Sequence, residues 1–296
     1  MNGIVKRWYD ARAEYEWIRL FQDGYHQLEY LITMHFLEKY LPSKGLILDA
    51  GGGPGRYAIE LTKRGYEVVL LDLSPKCLEI ARREIGNAGV EDRVKEIVEG
   101  SVVDLTRFEN ELFDAVLCLG PFSHLLERSE RERAAIEIVR VAKKKAPLFI
   151  SVINRYGVFR TVLQRLPEEL TDPSHEEMFT RGIHRTHYRH PKETGAGFTD
   201  AYFFFPNELR ELFESKGVKT LTMATCEGLS SHLQEATNKL YKDKEKWRRW
   251  LKILLQTCTD PCITGLGEHF LYVGRKEKLQ KVNNIFHGRK TAHKRI

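Results

Sequence analysis

The sequence of 296 residues predicts an α/β fold: a doubly wound, seven-stranded, mostly parallel sheet with an antiparallel last strand and cap insertions. Three observations lead to this fold class. Short apolar runs alternate with segments of helical periodicity through the first half of the chain. A glycine-rich turn joins the first of these runs to the helix that follows it. Beyond residue 206 the order becomes helix, strand, insertion and strand, which suits a final strand that returns antiparallel.

Composition limits the classes of protein to consider. The chain is 42% hydrophobic and 30% charged, and its formal net charge is +6. Much of this excess lies in a basic tail over residues 277–296, so no stripe of positive charge along the body points to nucleic acid. Five scattered cysteines argue against a disulfide framework. Without an apolar leader centre or membrane-length run, we expect a cytoplasmic protein that does not contact membranes.

We expect one domain over residues 1–296, beginning with helices in residues 1–41. The first 25 residues are rich in aromatic and charged side chains and indicate one or two helices. The next helix ends before Pro42, because the residue preceding a proline avoids the helical conformation. Residues 155–205 and 229–266 interrupt the core pattern and are predicted to be insertions that cap the strand edges.

The first strand, Leu46 to Ala50, is an apolar run with Asp49 near its end. The turn Gly51–Gly55 follows, and then a helix that Gly65 terminates. Glycines suit this turn because a side chain would keep a ligand from the backbone and most residues resist positive φ. The helix N-terminus behind the turn offers free N–H groups to a polar or anionic ligand.

The spacing of the glycines indicates which ligand binds. A dinucleotide fingerprint that starts at Gly51 fails because its sixth position is Arg56, and no Gly-Lys-Ser/Thr ending indicates a phosphate-binding loop. The pattern Asp49-x-Gly51-x-Gly53-x-Gly55 resembles the class I S-adenosylmethionine-dependent methyltransferases. The resemblance implies a Rossmann-like fold, methyltransferase activity and S-adenosyl-L-methionine as cofactor, bound by Asp49, Gly51 and Gly53. An acid at the strand end suits a ligand that carries an ammonium and a sulfonium group.

The second strand, Glu67 to Asp72, also ends in an acid. Asp72 lies about 20 residues beyond the glycines, where an acid can bridge two ribose hydroxyls. Leu73 adjoins it and is a further candidate contact. Ser74 and Pro75 have the sequence of a helix start, so a second helix cap is the alternative role of Asp72.

The third strand, Val94 to Val98, leads to the sequence Gly-Ser-Val at 100–102. In the resembled family an acid often follows this glycine and accepts a hydrogen bond from the adenine amino group. Ser101 stands at that place here. The adenine contact therefore falls to Ser101, to the main chain of Val102 or to Asp104, and the sequence leaves this choice open.

The fourth strand and its exit loop occupy residues 113–125. The carboxyl ends of parallel strands hold the ligand in such sheets, so we expect the reacting methyl group near the segment from Leu119 to His124. This segment is similar to the Cys-Leu-Gly…His-Leu stretch of glycine N-methyltransferase-like enzymes. His124 is the residue here that can take a proton near neutral pH, and we consider it the catalytic candidate, with a structural hydrogen-bonding role as the alternative.

The remaining elements follow from periodicity and from glycine and proline signals. The predicted segments are a helix over 129–145, a strand over 146–153, a helix over 206–215, a strand over 218–226, helical structure over 234–256 and a last strand over 269–274.

Aromatic and basic residues outside these strands are the other candidates. Tyr9 and Tyr15 can contact the sulfonium by cation–π attraction, or can simply pack on the core. Tyr156 and His187 are candidate substrate contacts. Arg181, Arg185 and Arg189 either bind an anionic substrate or form a solvated basic loop. His184, His187 and His190 lack a partner cysteine or carboxylate at ligand spacing, so we expect no metal.

These features predict methyl transfer from S-adenosylmethionine to a small-molecule oxygen or nitrogen nucleophile, by in-line displacement, in a monomer or homodimer. An RNA or protein methyltransferase is one alternative. No RNA-binding module accompanies the core, however, and Gly120-Pro121-Phe122 stands where an Asn/Asp-Pro-Pro-aromatic signature would. A non-catalytic protein that binds S-adenosylmethionine is the second alternative.

Overall fold

The computed structural model describes residues 3–186 and 198–277. Their strands form a seven-stranded sheet in the order β3-β2-β1-β4-β5-β9-β8, and a separate pair, β6 and β7. The strands are β1 (Leu46–Ala50), β2 (Glu67–Asp72), β3 (Val94–Glu99), β4 (Ala115–Leu119), β5 (Pro147–Ile153), β6 (Ile183–His184), β7 (Ala201–Tyr202), β8 (Val218–Thr225) and β9 (His269–Lys276). The strands from β1 to β5 pair in parallel, and β9 runs antiparallel to both β5 and β8. The predicted fold class is confirmed.

Helices cover both faces of this sheet. The N-terminal helices are α1 (Gly3–Arg19) and α2 (Gly24–Tyr40), followed by α3 (Arg56–Lys63), α4 (Pro75–Ala88) and α5 (Arg128–Val141). The second half contains α6 (Arg155–Arg165), α7 (Glu176–Arg181), α8 (Pro206–Glu214), α9 (Gln234–Tyr241), α10 (Lys244–Thr257) and α11 (Pro261–Thr264).

Alternate residues of each strand belong to two separate cores. Leu48 and Val116 pack in the core that includes α5 and α8. Ile47 and Leu117 pack in the other core, with α2, α3, α4 and α10. All four of these side chains are fully buried, so both faces of the central strands are covered, as a doubly wound sheet requires.

Local capping explains where the helices begin. Ser74 is the N-cap of α4, where its hydroxyl accepts from the backbone N–H of Cys77, and Pro75 is the first helical residue, as the sequence indicates. Gly65 adopts φ +95° just beyond α3, which is the conformation expected of a glycine that ends a helix.

One predicted helix boundary was wrong. The predicted helix over 129–145 ends at Val141, because the following lysines form the turn into β5, where Lys145 has φ +65° and Lys143 binds Asp114 at 2.7 Å. The segment over 234–256 is helical, as predicted, and it contains two helices, because Asp243 interrupts it and caps α10 with its side chain.

Candidate active site

A cavity of about 450 Å³ opens at the carboxyl ends of β1, β2 and β4, and α1 and α2 also line it. One part, here called the glycine end, is lined by Asp49, Gly51, Gly53, Asp72, Leu73, Ser101, Val102 and Leu119. Another part, the charged end, is lined by Arg19, Tyr25, Glu29, Glu227, Glu268 and His269. Tyr9 and His124 line the same cavity. All the cofactor candidates named from the sequence thus border one space, Tyr15 included.

The glycine turn needs two of its glycines for different reasons. Gly51 has φ +80°, and a Cβ atom there would lie 2.1 Å from Cγ of Pro121, so the turn closes against the loop after β4 only without a side chain. Gly53 has φ +55°, and a Cβ atom there would have no heavy atom within 4 Å. The conformation of the backbone, not crowding, favours glycine at this position.

Asp49 is the most unusual polar residue of the glycine end. Its side chain is only 1% exposed, and neither carboxylate oxygen has a hydrogen-bond partner among the described residues. Burial, and then the negative charge of Asp72, raise the pKa of Asp49 to about 7. A buried carboxylate without a partner is costly, and a bound cation removes that cost. The residue therefore fits the ammonium group that S-adenosylmethionine would bring.

Asp72 holds the glycine turn and also lines the cavity. One carboxylate oxygen accepts from the backbone N–H of Gly53 at 2.8 Å, and the other accepts from that of Ser74 at 2.8 Å. A carboxylate oxygen can accept more than one hydrogen bond, so Asp72 can hold the turn and still bind a diol. Burial raises its pKa to about 6, against the effect of these two amides.

Some of the residues after β3 line the cavity, and others are exposed to solvent. Ser101 and Val102 line the cavity, and the Ser101 hydroxyl accepts from the backbone N–H of Val103 at 3.2 Å. Asp104 is exposed, and one of its oxygens binds the backbone N–H and the hydroxyl of Thr106. Of the three adenine-contact alternatives, the structure brings only Ser101 and Val102 to the cavity.

His124 lies in the cavity wall with both ring nitrogens engaged. Its Nδ1 lies 3.0 Å from the carbonyl oxygen of Asp200, which can only accept, so Nδ1 carries the proton. Its Nε2 then accepts from the Tyr9 hydroxyl at 2.7 Å. Burial lowers the pKa of His124 and raises that of Tyr9, so both groups stay neutral near pH 7. His124 can take a proton from a substrate only when the Tyr9 hydroxyl moves away.

The two other tyrosine candidates, Tyr15 and Tyr156, differ in their position relative to the cavity. Tyr15 lines the cavity with its ring 5.0 Å from the Arg12 guanidinium, and its hydroxyl accepts from Gln22. Tyr156, a predicted substrate contact, does not line the cavity. Its neighbour Arg155 turns inward as α6 begins, while the ring of Tyr156 packs on Phe205 and is 48% exposed. That prediction is corrected.

The predicted basic insertion is only partly within the structure. His187, Arg189 and His190 lie outside the described residues. Arg181 and Arg185 both bind the carboxylate of Glu177, which favours the interpretation as a solvated loop over binding of an anionic substrate. Across residues 3–186 and 198–277, no three His, Cys, Asp or Glu side chains lie close enough together to hold a metal ion.

The charged end was missed by the sequence analysis. Arg19 of α1 donates to Glu29 of α2 at 2.7 Å, and the carboxylate of Glu227 accepts from His269 Nδ1 at 2.7 Å. The hydroxyl of Tyr25 binds Glu268. Burial alone would raise the pKa of Glu29, yet Arg19 and then His269 lower it to about 2. These residues come from distant parts of the chain and share no motif, so no local pattern marks them.

Comparison with known proteins finds similarity to methyltransferases. Residues 47–145 match a family described as a methyltransferase domain. The chain is 30% identical over 156 residues to a ubiquinone biosynthesis O-methyltransferase of Hahella chejuensis, which covers 52% of this chain and 59% of that protein. It is 32% identical over 109 residues to a glycine/sarcosine N-methyltransferase of Aphanothece halophytica, which covers 36% of this chain and 40% of the relative. The chain thus spans less than two thirds of the length of these relatives.

A solved structure with a similar fold is the SAM-dependent methyltransferase from Methanosarcina mazei. It superposes with a TM-score of 0.58 at 18% sequence identity, over 82% of this chain and 97% of that one. At this identity the similarity concerns the fold. No helix within the described residues is both long enough and apolar enough to cross a membrane.

Proposed function

We propose that this chain, which belongs to the class I S-adenosylmethionine-dependent methyltransferases, transfers a methyl group from that cofactor to a small molecule through an oxygen or nitrogen nucleophile. The observation that carries the proposal is Asp49. It is a buried carboxylate without a hydrogen-bond partner among the described residues, directly against the glycine turn, where a Cβ atom at Gly52 would lie 2.5 Å from Cγ of Asp49. This arrangement favours a ligand with a positive charge beside a nucleoside over a pyrophosphate, whose negative charges the carboxylate would repel.

Bound S-adenosylmethionine supplies a methyl group on a positively charged sulfur, which is open to attack by a nucleophile. The chain's own part is to hold and orient the two reactants and to keep water away. Asp49 would hold the ammonium group and Asp72 the ribose hydroxyls. Tyr9, fixed by its hydrogen bond to His124, presents a neutral hydroxyl at the wall of the cavity.

Two observations support a small acceptor. The volume of about 450 Å³ is in the range of small-ligand pockets and must also hold the cofactor. The two relatives are named for small acceptors, one in ubiquinone biosynthesis and one for glycine and sarcosine. An RNA or protein acceptor would instead require a basic, aromatic face beside the cavity mouth.

Calorimetric titration tests the cofactor. We expect saturable binding of S-adenosylmethionine by the full chain and no binding of NAD under the same conditions. Tight binding of NAD alone would refute the proposal. The variant Asp49→Asn, which keeps the shape of the side chain but removes its charge, should bind S-adenosylmethionine more weakly.

A labelled-methyl assay tests the acceptor. The full chain is incubated with S-adenosylmethionine carrying a labelled methyl group and with cell extract separated into RNA, protein and small-metabolite fractions. We expect label only in the small-metabolite fraction. Label in RNA or protein would establish the first alternative, and binding without any labelled product would favour a non-catalytic protein.

A further inference from the structure

The charged end of the cavity contains a second histidine whose surroundings differ from those of His124. His269 is the first residue of β9, and Glu227 follows the end of the neighbouring strand β8. The carboxylate of Glu227 accepts twice from His269, from its backbone N–H at 2.9 Å and from its ring Nδ1 at 2.7 Å. Glu227 is 4% exposed, so this pair is held within the wall of the cavity.

These contacts decide which ring nitrogen can exchange a proton. An ionised carboxylate only accepts hydrogen bonds, so Nδ1 keeps its proton in both charge states of the ring. The other nitrogen, Nε2, has no hydrogen-bond partner among the described residues, and 28% of the side chain remains exposed at the cavity. A histidine that is oriented through Nδ1 and free at Nε2 has the arrangement of a general base.

We propose that His269, held by Glu227, takes the proton from the nucleophile of the methyl acceptor, so that the acceptor is an amine or a hydroxyl compound with a hydrogen on the atom to be methylated. This inference rests on the proposed function. In the step, the N–H bond of the acceptor's ammonium form or the O–H bond of its hydroxyl group breaks, its electron pair stays on the heteroatom and the proton goes to Nε2 of His269. Acceptor atoms that carry no proton near neutral pH, such as thioether sulfur, need no base and are excluded.

The charges around His269 suit this role. Glu227 faces the ring of His269 from the end of β8, and Glu29 faces it from α2. Arg19 faces the ring from α1, and Glu268 is the residue before His269 in the chain. Burial alone would lower the pKa of His269, but Glu227 and Glu29 raise it to about 9, and Arg19 opposes them only in part. The pKa of this base is close to that of ammonium groups and phenols, about 10, so a proton can pass from such an acceptor to His269 at little cost in free energy.

Nuclear magnetic resonance tests the pair in the free protein. The full chain, labelled at its histidine rings, is titrated between pH 5 and pH 10, and the His269 signals are assigned with the His269→Gln variant. We expect a midpoint near 9, with Nδ1 protonated on both sides of it. Glu227→Gln should lower this midpoint by roughly 1 to 3 pH units, and Glu29→Gln, which removes a charge but no hydrogen bond to the ring, should lower it less. A midpoint that stays in place in both variants would overturn the inference.

Methyl transfer to the small-metabolite fraction supplies the second test. The wild-type kcat/KM should rise roughly 50-fold from pH 7 to pH 9, and the rising limb should move to lower pH in Glu227→Gln. His269→Gln should lose transfer by about 100-fold or more while it binds S-adenosylmethionine with nearly unchanged affinity. Tyr156→Phe, outside the cavity, is the matched control and should behave as wild type.

Three outcomes separate this inference from its premise. Wild-type protein that does not bind S-adenosylmethionine overturns the proposed function and the role of His269 with it. Normal binding, with transfer that survives in His269→Gln and is lost in His124→Gln, overturns the role of His269 alone. A labelled product methylated on a thioether sulfur does the same.

Discussion

The two ends of the cavity are built from the sequence in different ways. The glycine end comes from residues 49–102 and Leu119, which lie at or just beyond the carboxyl ends of β1, β2, β3 and β4. The charged end combines Arg19 and Glu29 from two N-terminal helices with Glu227 and His269, about 200 positions later. The first end is a local pattern in the chain, whereas the second exists only after the whole sheet has formed.

The electrostatics of the two ends also differ. Asp49 of the glycine end has no hydrogen-bond partner among the described residues, so a bound ligand can neutralise its negative charge. At the charged end, Glu29 and Glu227 are already paired with Arg19 and His269. Unpaired charge favours ligand binding, whereas paired charge stabilises the protein and sets the protonation of its members. Cofactor binding should therefore depend mainly on the glycine end, whereas the charged end sets the protonation of His269.

The largest effect expected from this comparison is on pH-dependent stability at the charged end. The folded protein raises the pKa of His269 from 6.5 to about 9, so its protonation stabilises the fold below about pH 6.5, and this contribution is lost as the pH rises through 9. It amounts to at most about 3 kcal/mol. Urea unfolding between pH 6 and pH 9.5 should show wild type losing stability relative to His269→Gln. Parallel curves for the two proteins would contradict the pairing of His269 with Glu227.

The next largest effect is on cofactor affinity at the glycine end. Asp72→Ala removes a carboxylate that can accept two hydrogen bonds from a diol, so affinity for S-adenosylmethionine should fall about 100-fold. Asp104→Ala is the matched control, because Asp104 follows the next strand but faces solvent, and its affinity should not change. Calorimetry measures both. Because Asp72 also binds the Gly53 amide, Asp72→Asn separates loss of charge from loss of the turn. Unchanged affinity in Asp72→Ala would refute the ribose role.

The difference between a site built from one short segment and a site built from distant segments explains how much could be predicted from the sequence. Asp49, the glycines and Asp72 were found because strand, turn and helix signals fall within a short segment, and the family match over residues 47–145 covers that segment. His269 carried no local signal, because its partner Glu227 lies 42 positions away and becomes its neighbour only through the pairing of β8 with β9. The match ends before both of them.

The errors in the sequence analysis have a similar cause. Tyr156 was named from its residue type and its place after β5, but the direction of its side chain depends on the buried Arg155 beside it. The break between α9 and α10 does carry a sequence signal, since an aspartate such as Asp243 before a new helical period is a capping signal. Residue type alone does not say which side of a helix faces a cavity.

A smaller effect, on the free energy of unfolding, is expected at Tyr9, which lines the same cavity. Tyr9→Phe leaves Nε2 of the buried His124 without its partner, which should cost about 1 to 2 kcal/mol of the free energy of unfolding. Tyr15→Phe on the same helix loses only a hydrogen bond of 3.3 Å to Gln22, and should change stability by less than about 0.5 kcal/mol. Urea unfolding of both variants provides the comparison. Equal losses would show that the Tyr9–His124 contact does not fix α1 over the cavity.

The smallest effect on cofactor affinity is expected at Ser101. It tests which group of the glycine end contacts the adenine, Ser101 or the main chain of Val102. The Ser101 hydroxyl accepts from the Val103 amide and lines the cavity, so it is a candidate acceptor for an adenine amino group. If it accepts that bond, Ser101→Ala should weaken S-adenosylmethionine binding by less than about tenfold, since one neutral hydrogen bond contributes about 1 kcal/mol. Ser101→Asp supplies a charged acceptor at the same place and should bind at least as tightly as wild type. Unchanged affinity in Ser101→Ala would assign the adenine contact to the main chain of Val102, because Asp104 does not line the cavity.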